Sequence, residues 1–447
     1  MSISISVDNV DFTINDEGTL VQVANRGFPY PPKDVYIPSK FSTGEHIKAI
    51  GEFAFKGGYN TITIDNSISV SHKRAFSHCQ MKKLVWPSSC LSIPMYCFYH
   101  SSIEEIIGIE NVNSIGGWAF ACCQIRSFVW PSKSKDIPAS CFQYSKLSSI
   151  SGIDNVECVG PDAFEGTSIK SICWPSNCKV IPQGCFTNSK LEEISNIDKV
   201  ERIGHGAFDS SCITSFRWPD SCKCIPRSCF NQSSLRKITN TEKIARICAY
   251  AFTDTKLEEF VWPSECSVVP AYCFSGTGLK SISNTDNVKS IGESAFSGVS
   301  VHEFSWPRKC KIIPAKCFQG SKIKTITGLD DVEEVKEKAF LNSSIESIVW
   351  PSMCRVIPDC CFYLSSLKSI LNIMNVNEIK PAAFACSRIE EMTWPVDCDT
   401  VPQKCFEGCQ NLKKLDFSQL TMITIQEGAF DRADNAKIIY PYYMQGE

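Results

Sequence analysis

Trp86-Pro87 is the first of eight Trp-Pro dipeptides, at Trp86, Trp130, Trp174, Trp218, Trp262, Trp306, Trp350 and Trp394, each 44 residues after the last. An interval held that long constrains the fold more than any bulk property, because it requires structural units of one length that pack on their neighbours. The 44-residue unit is itself two halves. Phenylalanine recurs every 22 residues from Phe76 to Phe406, preceded alternately by Ala (Ala75, Ala119, Ala163) or Cys (Cys97, Cys141, Cys185). An apolar-x-x-apolar ladder runs in step, as Met81…Leu84, Ile103…Ile106, Ile125…Phe128 and on to Ile389…Met392. A third ladder holds Ile93, Ile115, Ile137, Val159 and Ile181. For 447 residues, simple arithmetic suggests about three globular domains; the unbroken ladders replace that expectation with one continuous array.

Within a coil, Leu84 and Trp86 share a parity around Val85, the alternation of a short strand with Leu84 and Trp86 inward and Lys83 and Val85 outward. In the other half of the repeat the Trp position is Gly108, Gly152, Asn196, Asn240, Asn284, Gly328 or Asn372. Interchange of Gly with Asn alone predicts a positive φ, where the strand stops and the chain turns. Pro94, Pro138 and Pro182 lack an N–H and cannot sit in a central ladder. The I-P-x-x-C-F stretch therefore predicts a corner plus a short helical turn that carries Phe inward. The fold expected is a β-rich repeat solenoid, about 17 coils of 22 residues with short strands, short helical turns and an N-terminal β-hairpin cap.

The boundaries follow from where the ladders lose register. Residues 1–45 form the N-terminal cap, 46–430 the solenoid, and 431–447 a C-terminal cap strand and tail. In the cap, Val10–Ile14 and Leu20–Val23 alternate like strands around the turn residues Asn15, Asp16, Glu17 and Gly18. Phe28, Pro29, Tyr30, Pro31 and Pro32 then break regular structure. At the far end Ile438-Ile439-Tyr440-Pro441 reads as one last strand, and residues 442–447 as a frayed tail.

The pattern L-x-x-I-x-W-P-x-x-C-x-x-I-P-x-x-C-F-x-x-S, with its partner I-x-x-A-F, resembles the BspA-like, or treponemal-type, leucine-rich repeat over roughly residues 46–430. The resemblance implies a right-handed solenoid of the kind found in surface antigens of mucosal bacteria and of protist parasites, and associated with adhesion to host proteins or cells. The Trp-Pro/Cys-Phe variant looks like the protist branch. The family supplies no catalytic residues, and its ligand contacts do not transfer by motif.

The chain has 26 cysteines. Eight precede Phe, from Cys97 to Cys405, and seven more are Cys90, Cys178, Cys222, Cys266, Cys310, Cys354 and Cys398, with Ser134 in the vacant place. Corresponding cysteines lie two coils apart, roughly 10 Å, beyond disulfide reach. Ala and Val112 replace them in the intervening coil, so they read as small buried apolar residues, reduced in the native chain. Any disulfide would come from irregular cysteines such as Cys122, Cys123 and Cys409. No C-x-x-C pair or matching His ladder points to zinc, and the six scattered histidines give no Cys–His pairing, which leaves a thiol-dependent enzyme the weakest of the readings. The acidic series Glu110, Asp154, Asp198, Glu242, Asp286 and Asp330 reads as a solvated turn, since ligands two coils apart cannot share one calcium ion. No cofactor or metal is expected.

Between the apolar ladder positions, basic and acidic coils largely alternate: Lys82-Lys83, Glu104-Glu105, then Lys280, Glu303, Lys324, Glu346, Lys368 and Glu390. Stacked coils would pair these charges and leave that face little net field. The outward strand position is apolar in three consecutive coils, Val85, Ile107 and Val129, bordered by Lys83, Glu105 and Arg126; later apolar residues there, Val261, Val349 and Leu371, read as isolated. Val85, Ile107, Val129, Lys83, Glu105 and Arg126 are thus the candidate partner-binding residues.

A net charge of −3 and a pI near 6.1 argue against nucleic-acid binding. No stretch approaches a membrane span, and the first 20 residues lack the basic start and apolar run of a signal peptide. The reading is a non-enzymatic interaction scaffold whose partner is a protein or a cell-surface glycan. The family resemblance points to the cell surface, whereas the absent leader and the thiol-rich core suit an intracellular, cytoplasmic scaffold. Nothing in the pattern specifies an oligomeric state.

Overall fold

The computed structural model describes residues 2–25, 33–433 and 435–440. The break over Phe28–Pro32, Pro441 and the tail 442–447 lie outside the described residues. Two compact units divide the chain, Met1–Cys222 and Lys223–Glu447. Both are β-solenoid with a 22-residue turn. No helix among the described residues is long and apolar enough to cross a membrane.

In the first unit the hairpin Val10–Asn15/Thr19–Asn25 forms as the sequence predicts. Asn15 Oδ1 accepts from the Glu17 and Thr19 amides at 3.1 and 2.8 Å, and Gly18 takes φ +83° at the turn. A preceding strand, Ser2–Val7, completes a meander whose last member pairs in parallel with Ala49–Ile50 and Phe55–Lys56 of the first coil. The apolar rungs of the solenoid end are thereby covered. Lys33–Ile37, Gly58–Ile64, Gln80–Val85 and Glu105–Ile107 then build one parallel sheet.

Beyond it, strands pair in twos. Ser127–Val129 joins Ser149–Ser151, and Ser171–Cys173 joins Glu193–Ser195. The second unit repeats this, with Glu259–Val261 on Ser281–Ser283, Glu303–Ser305 on Thr325–Thr327 and Ser347–Val349 on Ser369–Leu371, before Glu391–Thr393, Lys414–Asp416 and Lys437–Ile439 close the array. The two-residue strands of the second ladder do the same, and their chemistry shows why. Gly116 N donates to Ile93 O at 2.8 Å and Gly160 N to Ile137 O at 2.7 Å. The corresponding residue of the next coil is always the proline of I-P, which has no proton to give. The structural unit is therefore the 44-residue pair.

Continuity within each unit is carried at the Phe corner. Here the expected helical turn is replaced by consecutive turns, and no helix occurs among the described residues. Alternate amides serve two purposes. Cys97, Tyr99 and Ser101 donate three residues back, to Pro94, Tyr96 and Phe98 carbonyls, at 3.0–3.2 Å. Tyr96, Phe98 and His100 donate to Gly117, Ala119 and Ala121 of the next coil at 2.8–3.0 Å. A helix would have consumed all these amides internally; residues at positive φ, Tyr96 at +58° and His100 at +56°, turn every second one outward. The phenylalanines stack along this corner, with centroids 5.4 Å apart for Phe76–Phe98 and Phe98–Phe120 and 5.8 Å for Phe274–Phe296 and Phe296–Phe318. Each is fully buried.

The tryptophans are buried with their one donor satisfied. Trp86 Nε1 reaches Cys90 O at 2.9 Å and Trp262 Nε1 reaches Cys266 O at 2.7 Å. The cysteine of that turn does more than fill space. Cys266, Cys310 and Cys354 point Sγ at the carbonyls of Ile244, Val288 and Val332 one coil earlier, at 3.3–3.4 Å. A weak S–H donor is used there, which is why Ser134 is an acceptable substitute. All 26 cysteines are free, Cys122, Cys123 and Cys409 among them.

Candidate functional site

The strand face carries the six residues singled out from the sequence. Ile107 lies opposite Val85, and Glu105 opposite Lys83, in one parallel ladder. Val129 belongs to the next pair, opposite Ser151. Exposure rises along the row: Val85 is half-buried, Ile107 is 38% exposed and Val129 69%. Between Glu105–Ile107 and Ser127–Val129, where strand pairing is interrupted, the surface opens into a groove of about 670 Å³. Ile107, Val129 and Pro131 line it, while Val85 stands outside. Lys83, Glu105 and Arg126 share a second, shallower groove at the start of the same strands.

The alternating charges pair as expected. Lys83–Glu105 and Lys170–Glu192 close at 3.2 and 3.0 Å in the first unit. In the second, Glu258 holds Lys280 at 2.8 Å, and Glu346 holds Lys368 and Lys324 at 2.9 and 3.5 Å. Lysine hydrogen bonds lower the Glu258, Glu346 and Glu390 carboxyls below their ordinary range. The groove departs from this neutrality: besides Glu105, which Lys83 pairs, Glu104, Glu110 and Asp154 line it, and among the described residues its lining holds no Lys or Arg. Glu110 and Asp154 come from the turn series, which the fold brings beside the strand face. Among the described residues no group of three or more His, Cys, Asp or Glu side chains could hold a metal ion.

One reading of isolation needs correcting. Val349 lies directly opposite Leu371, and both are 58% exposed. They sit one coil apart, so they form an apolar pair. A groove of about 370 Å³ opens beside Leu371, between Ser369–Leu371 and Glu391–Thr393, at the same kind of interruption as the first.

The sequence reading also passed over the corner. Tyr96 stacks on Trp118 at 5.2 Å and 19°, with the Arg74 guanidinium 5.0 Å over the Tyr96 ring. His78 and His100 stack alongside at 5.3 Å. The second unit repeats the device with Arg227 4.8 Å over Tyr250 and Tyr250 on Tyr272 at 4.8 Å. These aromatics occupy positive-φ places, Trp118 at +55° and Tyr272 at +57°, where other coils carry Gly184 or Gly206. The visible signal was a position occupied by Gly, Ser, Asp, Lys or Tyr in different coils, which looks unpatterned until its conformation is known.

The sequence profile described as "BspA type Leucine rich repeat region (6 copies)" matches residues 37–148, 122–236, 245–368 and 333–444. No curated protein sequence matches the chain. Among solved structures, a leucine-rich repeat protein from Bacteroides ovatus is 18% identical, with 97% of this chain and 99% of that one covered and a TM-score of 0.45. A leucine rich cell surface protein from Faecalibacterium prausnitzii is 17% identical, covering 98% and 95%, with a TM-score of 0.37. The profile spans both units and nearly every coil in which the ladders keep register, and on that ground the chain belongs to the BspA-type leucine-rich repeat family.

Proposed function

We propose that this chain is a non-enzymatic scaffold that binds a protein on its strand face, centred on the groove between Ile107 and Val129. The observation that supports the reading is the groove itself. It opens at one of the breaks between strand pairs, with Ile107, Val129 and Pro131 in its lining beside the acids Glu104, Glu105, Glu110 and Asp154. An apolar centre inside a polar rim concentrates binding energy in few residues. The acids specify the partner further: an extended segment with one apolar side chain flanked by Lys or Arg. Val85, Lys83 and Arg126 extend the surface along the strands. In line with the family's association with adhesion, the scaffold is displayed at a cell surface; biotinylation of intact cells against lysate tests that placement.

The binding test is a pull-down with the intact array, followed by Ile107→Thr and Val129→Thr, with Val85→Thr as the third member. Threonine keeps the β-branch, so strand preference changes little. Affinity for the recovered protein should fall about tenfold or more, the effect of losing one anchor residue. Unchanged affinity with folding intact removes the groove from the interface, and recovery of a glycan in place of a protein overturns the assigned partner class.

A further inference from the structure

Cys224 and Cys248 stand outside both cysteine ladders. They are 24 residues apart, two off the period, so they meet on a diagonal. Cys224 lies opposite Arg246 and Ile225 opposite Ile247, and the Cys248 amide donates to Ile225 O at 2.9 Å. The two sulfurs come to 3.9 Å of one another, and both residues are half-buried. Arg246 is exposed, lies directly opposite Cys224 in the ladder and stands two residues before Cys248 on its own strand segment. Other coils show what these places accommodate. Where this coil has Arg246 and Cys248, later coils have Glu334 with Lys336 and Glu378 with Lys380, each an ion pair.

We propose that Cys224 and Cys248 are a peroxide-responsive dithiol, with Cys224 the attacking sulfur and Cys248 the resolving one. Arg246, directly opposite Cys224 in the ladder, places a cation beside the attacking sulfur, whereas burial pushes the Cys248 thiol up. The Cys224 thiolate attacks one oxygen of hydrogen peroxide. An S–O bond forms, the O–O bond breaks, and the departing hydroxide takes a proton to become water. Cys248 then loses its proton, and its sulfur attacks the Cys224 sulfur. The S–S bond forms as the S–O bond breaks and a second water leaves. In sum, two thiols and one peroxide give one disulfide and two waters. Closure requires the sulfurs to approach by about 1.9 Å, within the swing of two side chains about χ1. Cys266, the next cysteine along the chain, is 2% exposed with its Sγ on the Ile244 carbonyl at 3.3 Å, and so is not placed to resolve.

The test uses the reduced full chain, titrated with hydrogen peroxide, alkylated and mapped by mass spectrometry. A peptide linking Cys224 to Cys248 should accumulate at doses that leave the exposed Cys158 and Cys173 alkylatable, persist in Cys266→Ser, and disappear on dithiothreitol treatment. Arg246→Gln should slow linkage at neutral pH about tenfold, because the cation opposite the attacking sulfur is gone, and raising the pH should restore the rate. Arg246→Lys should retain most of it. Recovery of Cys224 and Cys248 as alkylated thiols while Cys158 and Cys173 are oxidised would overturn the proposal. So would a link that requires Cys266. A rate in folded Arg246→Gln equal to that of the parent at every pH would remove the guanidinium from the mechanism.

Discussion

Replacing Gly152 with alanine should destabilise this protein, although Gly→Ala at a neutral site stabilises by about 0.4–1 kcal/mol through the unfolded chain. Gly152 has φ +74°, and an L-residue with a Cβ pays about 1–2 kcal/mol in that region. The added Cβ would also lie 2.9 Å from the Trp130 carbonyl oxygen, inside normal contact. The sum is a loss of about 2 kcal/mol. Asparagine at the same place should cost less than about 1 kcal/mol, because it tolerates the left-handed region and its amide can do what Asn284 does. Asn284 Nδ2 donates to Trp262 O at 2.7 Å, and Asn372 Nδ2 to Trp350 O at 2.9 Å. The reciprocal series follows. Asn284→Gly loses one hydrogen bond, about 1 kcal/mol, without strain; Asn284→Ala loses the bond and adds strain, about 2 kcal/mol. Urea unfolding followed by tryptophan fluorescence ranks the four variants. Hydrogen exchange at the Trp130 amide, which donates to Ser151 O at 2.8 Å, reads the local effect should the array unfold in blocks. An alanine at 152 as stable as glycine, or Asn284→Ala more stable than Asn284→Gly, would refute the positive-φ argument.

Phe296→Ala should remove about 3–5 kcal/mol, since the ring is fully buried and stacked on both sides; a loss under about 1 kcal/mol, read by urea midpoint, would show that the spine is not the main source of cohesion. Stability should decline in alkali. Burial pushes the Cys123 and Cys310 thiols up to about 12 from an ordinary 9.0, so the folded chain holds protons that the unfolded chain releases first. That contribution is complete below about pH 9 and is lost as pH rises toward 12, and a urea midpoint that stays flat from about pH 8 to 11 contradicts it. Thiol counting should find few reactive groups in the native protein and at least the fifteen ladder thiols after denaturation without reductant, and mostly paired cysteines would defeat the reduced-core reading.

Much of this protein is local and therefore legible in one dimension. The 22-residue period set the coil, because a rung that repeats must stack. The parity of Leu84, Val85 and Trp86 set which side chains are buried, because a strand alternates. Gly and Asn at 152, 284 and 372 announced positive φ, because few other residues enter that region at small cost. Lys83 and Glu105 forecast their ion pair, because the period places them one coil apart.

What the tertiary structure decided lies in relations between coils that no single coil contains. The missing N–H of I-P is plain in the sequence, but its consequence depends on which carbonyl faces it across the stack, and so the pairing of coils in twos had to be seen. The groove beside Ile107 and Val129 and the one beside Leu371 open where neighbouring strands on the other ladder leave off pairing, which is likewise a relation between coils. The corner defeated the helical expectation because inter-coil carbonyls compete for the same amides, and they win when residues such as Tyr96 accept a positive φ. Cys224 and Cys248 fall off the period, so reading along the ladders separates them. Only the diagonal offset of parallel strands brings their sulfurs to 3.9 Å, because proximity in a solenoid depends on register between neighbours as well as on distance along the chain.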